Sequence, residues 1–400
     1  MKGINYRFYP LWYLAFLRVA IGMMIGLATP LYFIEEGLNP EILGFLISAT
    51  ALAYLFSPFL LRNVPKKIGI KKSLIISMAG TLIVQIGFQI SLDPLVAFIL
   101  RFADGVFLGL FWPVIQGSIS IISTYEGLRE NNELKDKVMN LYSIYWNVGG
   151  VFSYALGTIV LFFIENVLLM FDITLIYAII GVILVFVFEE PKSNLSKENF
   201  SLEQERLKPN SQREHVKFPI FIPLFLMGIY ALLLSSVGLI YPAKSEFLDY
   251  AVFTNYLFFF IRLSVQAFLI SQTMHLSINS FKKIMPYLII TLSLCLLIWG
   301  LTENLIILAI LFAIFGVCIS FFYSFSFKLV IFRNIAEDTT KYSMYFETAA
   351  GICFFIGPIL SGFLIAIDFN LAFFIMSFIS LLSLIIYLSL KNKIKSEEVK

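Results

Sequence analysis

The sequence predicts an all-α membrane protein: twelve transmembrane helices in two pseudo-symmetric six-helix bundles, with both termini cytoplasmic. Three observations predict this fold. The 400-residue chain is 59% hydrophobic and 14% charged, whereas soluble chains are about 45–50% apolar and about 25% charged. Its apolar residues gather into runs that match the roughly 20 residues a helix needs to cross a bilayer. Its basic residues gather on alternate loops.

Eight apolar runs carry no charge, at residues 73–92, 105–124, 138–164, 218–243, 284–302, 305–327, 348–367 and 369–390. Four more complete the count: 11–34 around Arg18, 41–61, 166–188 with Asp172, and 251–271 around Arg262. Span 4 is expected to begin near Leu95, taking in Arg101 and Asp104, and span 11 near Tyr342, taking in Glu347. The first run is longer than the roughly 7–15 apolar residues of a signal-peptide core and is read as a retained span.

When the spans alternate, twenty-five of the 29 Lys and Arg fall on one side. Lys244 stands alone on the other, and three arginines lie inside spans. Cytoplasmic loops hold the excess of basic residues, so the termini are expected in the cytoplasm of a cell-membrane protein. The net charge of +3 implies no nucleic-acid partner. Residues Glu189 to Lys217 mix acids and bases with Ser, Asn, Gln and Pro, a composition unable to bury a core. The expected organisation is therefore a first bundle over 1–190, a cytoplasmic linker over 191–216, and a second bundle with a short basic tail over 217–400.

The two bundles carry an internal repeat. Gly26-Leu27-x-x-Pro30 matches Gly238-Leu239-x-x-Pro242, Lys71-Lys72 matches Lys282-Lys283, and Gly105-Val106 matches Gly316-Val317, all about 211 residues apart. Tyr142-Ser-x-Tyr145 matches Tyr342-Ser-x-Tyr345 at an offset of 200, a shorter loop accounting for the change. Gly149, Ser153 and Gly157 correspond to Ala349, Cys353 and Gly357, small residues spaced to let helices pack closely in a bilayer. Two parallel repeats of six spans form an architecture that secondary transporters use, with the solute near the midplane between the repeats.

The stretch from Arg18 through Pro30-Leu-Tyr, Gly37-Leu38-Asn39-Pro40, Ile42-Leu43-Gly44 and Ser57-Pro58 resembles the major facilitator superfamily, and the resemblance covers essentially the whole chain. The family's loop 2–3 motif, G-x-x-x-D-(R/K)-x-G-x-(R/K)-(R/K), is met by Lys67, Gly69, Lys71 and Lys72. Arg62 replaces its first Gly and Lys66 its Asp, so the resemblance implies a gating loop without the usual latch. A basic membrane anchor is the competing reading of these lysines. The span 4 motif R-x-x-x-G stands as Arg101 to Gly105. The Pro-bearing span 5 signature of drug/proton antiporters is absent, since Thr158 follows Gly157. The resemblance also implies a cavity lined by spans 1, 4, 7 and 10, with Met23, Trp112, Gln116, Tyr230, Ser235, Tyr323 and Ser324 as candidates.

Five ionisable residues lie well inside spans: Arg18, Arg101, Asp104, Arg262 and Glu347. Facing lipid, each would cost about 2.5–3.5 kcal/mol, so all must face protein or water. Arg101 and Asp104, three residues apart, share a helix face and are placed to neutralise each other. Asp104 is the candidate for proton coupling, and Arg262 is expected to reach toward Glu347. Three arginines against two carboxylates tilt the expected solute toward an anionic or amphiphilic molecule.

No phosphate-binding G-x-x-x-x-G-K-[S/T] loop, metal-type His/Cys cluster or catalytic constellation occurs, so no cofactor, metal or enzymatic activity is expected. His215 and His275 fall in loops. The expected function is secondary transport of a small solute by a monomer in the bilayer. The alternative is a sensor or assembly protein that keeps the fold without transporting.

Overall fold

The structure is a computed structural model that describes residues 9–61, 63–123, 132–189, 215–273, 276–336 and 341–397. Most of the expected linker, together with Arg62 and His275, lies outside the described residues. Twelve helices are long and apolar enough to cross a membrane. Spans 1–6 are Tyr9–Glu35, Pro40–Leu61, Ile70–Ile90, Pro94–Ser123, Asn132–Phe163 and Leu168–Val187. Spans 7–12 are Phe221–Phe247, Phe253–Thr273, Ile278–Leu301, Leu305–Ala336, Lys341–Ile367 and Phe369–Leu390.

The helix starts are chemically marked. Asp93 Oδ1 accepts the amides of Leu95 at 2.9 Å and Val96 at 3.3 Å, opening span 4. Asn304, 211 residues on, accepts those of Ile306 at 2.9 Å and Ile307 at 3.2 Å, opening span 10. Each satisfies amide donors that a helix start leaves without an internal partner. Before span 3 a short helix, Val64–Ile68, ends at Gly69, whose φ of +91° suits glycine. That accounts for the glycine of the loop motif. Lys71 beside it is tied to the Phe186 carbonyl at 2.9 Å, while Lys67 and Lys72 are exposed.

Span 10 runs past residue 327 because Lys328 does not end it; its ammonium donates to the Leu276 carbonyl at 2.5 Å. Two three-residue strands also occur, His215–Lys217 pairing antiparallel with Lys395–Glu397. The last residues of the expected linker are thus tied to the C-terminal tail, and both emerge on one face of the molecule. Lys282 supports this join, donating to the Ile394 carbonyl at 2.7 Å.

The repeat recurs as packing. A Cβ on Gly105 would collide with the Thr50 carbonyl, and one on Gly316 with the Arg262 carbonyl, so spans 2 and 4 touch as spans 8 and 10 do. The Ser153 hydroxyl donates to the Ala20 carbonyl at 2.9 Å, joining spans 5 and 1. Cys353 and Gly357 of span 11 press on Gly228 and Leu232 of span 7 in the equivalent manner.

Across the halves, spans 2 and 11 pack together, as do spans 5 and 8. At the end remote from the termini both seams are tight. Gly44 lies against the Pro358 carbonyl, where an added Cβ would come within 2.5 Å, and Gly362 lies against that of Pro40. Ser48 donates to the Phe355 carbonyl at 2.8 Å. In the other seam Gly157 accommodates the Tyr256 ring, whose hydroxyl donates to the Met24 carbonyl at 2.9 Å. Lys244, alone among loop-side cations at this end, is itself 1% exposed and donates to the carbonyls of Trp299 at 2.7 Å and Thr302 at 2.9 Å. The charge asymmetry between the two faces is therefore sharper than the sequence count suggests.

Candidate functional site

In the first half, Arg18 of span 1 is fully buried and donates through Nη2 to Asp104 Oδ1 of span 4 at 2.7 Å. Asp104 therefore pairs with Arg18 from another helix rather than only with its near neighbour on span 4. Arg101, 7% exposed, stands close enough to interact with both, and its carbonyl accepts the Thr50 hydroxyl at 3.0 Å. Gly22 lies beside the cluster, and a Cβ there would make only ordinary contact with Arg18 Nη1, at 4.0 Å.

The second half is built differently. Arg262 of span 8 is 2% exposed, and its contacts are neutral. Nη1 donates to Gln266 Oε1 at 2.8 Å, and the guanidinium lies 5.7 Å from the centre of the Phe259 ring. Tyr154 of span 5 also interacts with it, while Nε finds no partner. Gln266 Nε2 continues the chain, donating to the Tyr230 hydroxyl at 3.3 Å. The expected contact between Arg262 and Glu347 is not made. Tyr230 interacts with both.

Glu347 of span 11 is exposed, yet it interacts with Tyr54 and Tyr142 of the first half and with Tyr230 and Tyr323 of the second. An exposed carboxylate with partners from both halves faces an opening between them, not lipid. Gln116, Gly117 and Ser143 are exposed on the same stretch toward the termini. Gln116 is hydrogen-bonded to Tyr142. The opening therefore leads to the face bearing the termini, opposite the tight seams.

The remaining cavity candidates divide. Tyr230 and Tyr323 meet with ring centres 5.6 Å apart, and Tyr323 stacks on Phe327 at 5.7 Å. Met23 accepts a hydrogen bond from the Tyr154 hydroxyl at 3.4 Å, which brings it beside the Arg262 group. Trp112 is half-buried against Phe111 in the first bundle's packing. Ser235 belongs to the seam of spans 7 and 11, bonded to the Ala231 carbonyl at 2.8 Å. Ser324 is buried and accepts the Thr273 hydroxyl at 2.7 Å, joining spans 8 and 10. Gly26 and Gly238, equivalent by the repeat, both have open space where a Cβ would be.

Sequence reasoning missed Tyr54, Tyr154 and Gln266. Among 19 tyrosines, with no periodic signal, nothing marked the first two. Gln266 carried a usable signal, since it lies one helical turn from an intramembrane arginine.

The sequence profile of the Major Facilitator Superfamily matches residues 11–344. No curated protein matches the chain. Solved structures of similar fold include the nucleoside transporter NupG, with a TM-score of 0.73 at 15% identity, covering 96% of this chain and 99% of that one. A proton dependent oligopeptide transporter matches with a TM-score of 0.71 at 14% identity, over 97% of this chain and 98% of the other. The peptide transporter POT in complex with sulfate gives 0.71 at 13%, over 99% and 97%.

Proposed function

Because the chain belongs to the Major Facilitator Superfamily, we propose that this secondary transporter moves a small organic solute across the cell membrane as a monomer by alternating access, its termini cytoplasmic. It is a multi-pass membrane protein and not an enzyme. The observation that carries the reading is Glu347, a carboxylate exposed in an opening that residues of both halves line. The seams of spans 2 with 11 and 5 with 8 close the remote end. Rocking of the halves about them would close one end as the other opens, the motion by which paired repeats alternate access.

Three buried arginines against Asp104 and Glu347 support an anionic or amphiphilic solute. Nucleoside and oligopeptide transport, printed for proteins of similar fold, fit a polar organic molecule. For proton coupling, Asp104 is engaged by Arg18, whereas Glu347 meets solvent with no cation beside it among the described residues. Glu347 is the better-placed group to take up and release a proton.

Reconstitution into proteoliposomes with a solute panel tests the reading. Gradient-driven uptake of at least one organic solute is expected, with its response to a pH gradient lost in Glu347→Gln. No flux for any solute, together with a tightly bound partner protein, would instead make the chain a sensor or assembly factor. A full pH response in Glu347→Gln would remove Glu347 from coupling while leaving transport intact.

A further inference from the structure

Arg262 and Glu347 both interact with Tyr230, have opposite sign, and find no counter-charge among the described residues. Arg262 is 2% exposed, its contacts are an amide oxygen, phenols and a phenyl ring, and its Nε has no partner. A guanidinium held away from water without an anion is costly, because neutral dipoles replace only part of the lost hydration. No carboxylate among the described residues relieves it: Asp104 is held by Arg18 at 2.7 Å, and Glu347 interacts with Tyr230 but not with Arg262. Glu347 mirrors the situation, exposed, surrounded by tyrosines, and with no cation among the described residues.

From these residues, and resting on the transport reading above, we infer that the solute is amphoteric. Its anionic group docks on Arg262 and its ammonium, or a comparable cationic group, on Glu347. A singly charged anion would satisfy Arg262 and leave its other end against a carboxylate. A singly charged cation would face the guanidinium. Only a molecule carrying both charges neutralises both poles. Between the poles, Tyr230 and Tyr323 present aromatic faces to the body of the solute, with Phe354 6.4 Å from the Tyr230 ring centre. Their hydroxyls also leave hydrogen bonds to offer. The pole at Arg262 is held rigidly, since the Arg262 carbonyl packs against Gly316 and Gln266 fixes the guanidinium from the next turn.

The test uses the purified full-length chain in detergent and matched triads whose charges sit at opposite ends of the body: 6-aminohexanoate, hexanoate and pentylamine, then 4-(aminomethyl)phenylacetate, 4-methylphenylacetate and 4-methylbenzylamine. Each triad keeps the body and removes one charge at a time. At least one zwitterion should raise the melting temperature, while its acid and its amine should not. In Glu347→Gln the half-saturating zwitterion concentration should rise about tenfold or more, which corresponds to about 1.4 kcal/mol, and the acid should gain on it. Arg262→Gln should lose the zwitterion response. Should that variant fail to fold, Glu347→Gln carries the test alone, since its position is exposed. The inference is overturned if an acid or amine stabilises as well as its zwitterion, if no zwitterion stabilises, or if Glu347→Gln responds as the wild type does. Uptake of a singly charged solute into proteoliposomes would refute it while leaving transport standing. Zwitterion binding without any flux would do the reverse.

Discussion

The two halves share a scaffold and differ in what they do with charge. In the first, Arg18 and Asp104 close on each other at 2.7 Å, with Arg101 beside them. In the second, Arg262 is buried among neutral groups and Glu347 stands exposed. The repeat makes the contrast pointed. Arg18 corresponds to Tyr230, and Arg101 and Asp104 correspond to Phe312 and Phe315, both fully buried. Thr50, whose carbonyl Gly105 abuts, corresponds to Arg262, whose carbonyl Gly316 abuts. Backbone seams of small residues have been kept on both sides, while polar side chains have been placed independently. A closed ion pair joins spans 1 and 4 in one half, and in the other the charges stand apart.

The largest effect that tests this comparison is on Asp104. Asp104→Ala leaves Arg18 buried without its partner, and the loss should be about 3–5 kcal/mol, read as a large fall in melting temperature and in monodisperse yield. Arg262→Gln removes a charge that has no ion-pair partner among the described residues, and should change stability by about 1 kcal/mol or less. Equal losses in the two variants would break the comparison.

Next come the seams. Gly105→Val and Gly316→Val should each cost about 1–3 kcal/mol, and by similar amounts, because both drive a side chain into a carbonyl of the neighbouring helix. Gly26→Val and Gly238→Val, where nothing lies within 4 Å of a Cβ, should melt close to the wild type. A tolerated Gly316→Val would mean the shared scaffold does not extend to span 10. The smallest resolved loss is at Tyr256, whose hydroxyl donates to the Met24 carbonyl across the halves at 2.9 Å. Tyr256→Phe should lose about 0.6 kcal/mol, the usual size of an interhelical hydrogen bond in a bilayer.

Most of the fold was legible in the sequence because a bilayer demands long apolar runs, and these stand out whatever packs against them. The boundaries that moved did so for local reasons. Lys328 extends span 10 because its ammonium reaches a carbonyl instead of ending the helix. The strand at 215–217 escaped notice since its partner is the far end of the chain, and three residues carry no periodicity. For the site, the intramembrane charges announced themselves by cost alone, but their pairing did not. Spacing along span 4 suggested Arg101 for Asp104, and the close partner Arg18 comes from another helix that spacing cannot reach. Tyr54 and Tyr142 were invisible as a pair, because their common partner, Glu347, lies about 290 and 200 residues further along the chain, respectively.

Melting temperature and solute uptake measured on the same preparations of Arg262→Gln and wild type separate a charge that holds the solute from one that holds the fold. The variant is expected to fold, to melt within a few degrees of the wild type, and to have lost uptake of the solute that the wild type carries. A folded Arg262→Gln variant that transports as well as the wild type would contradict that expectation.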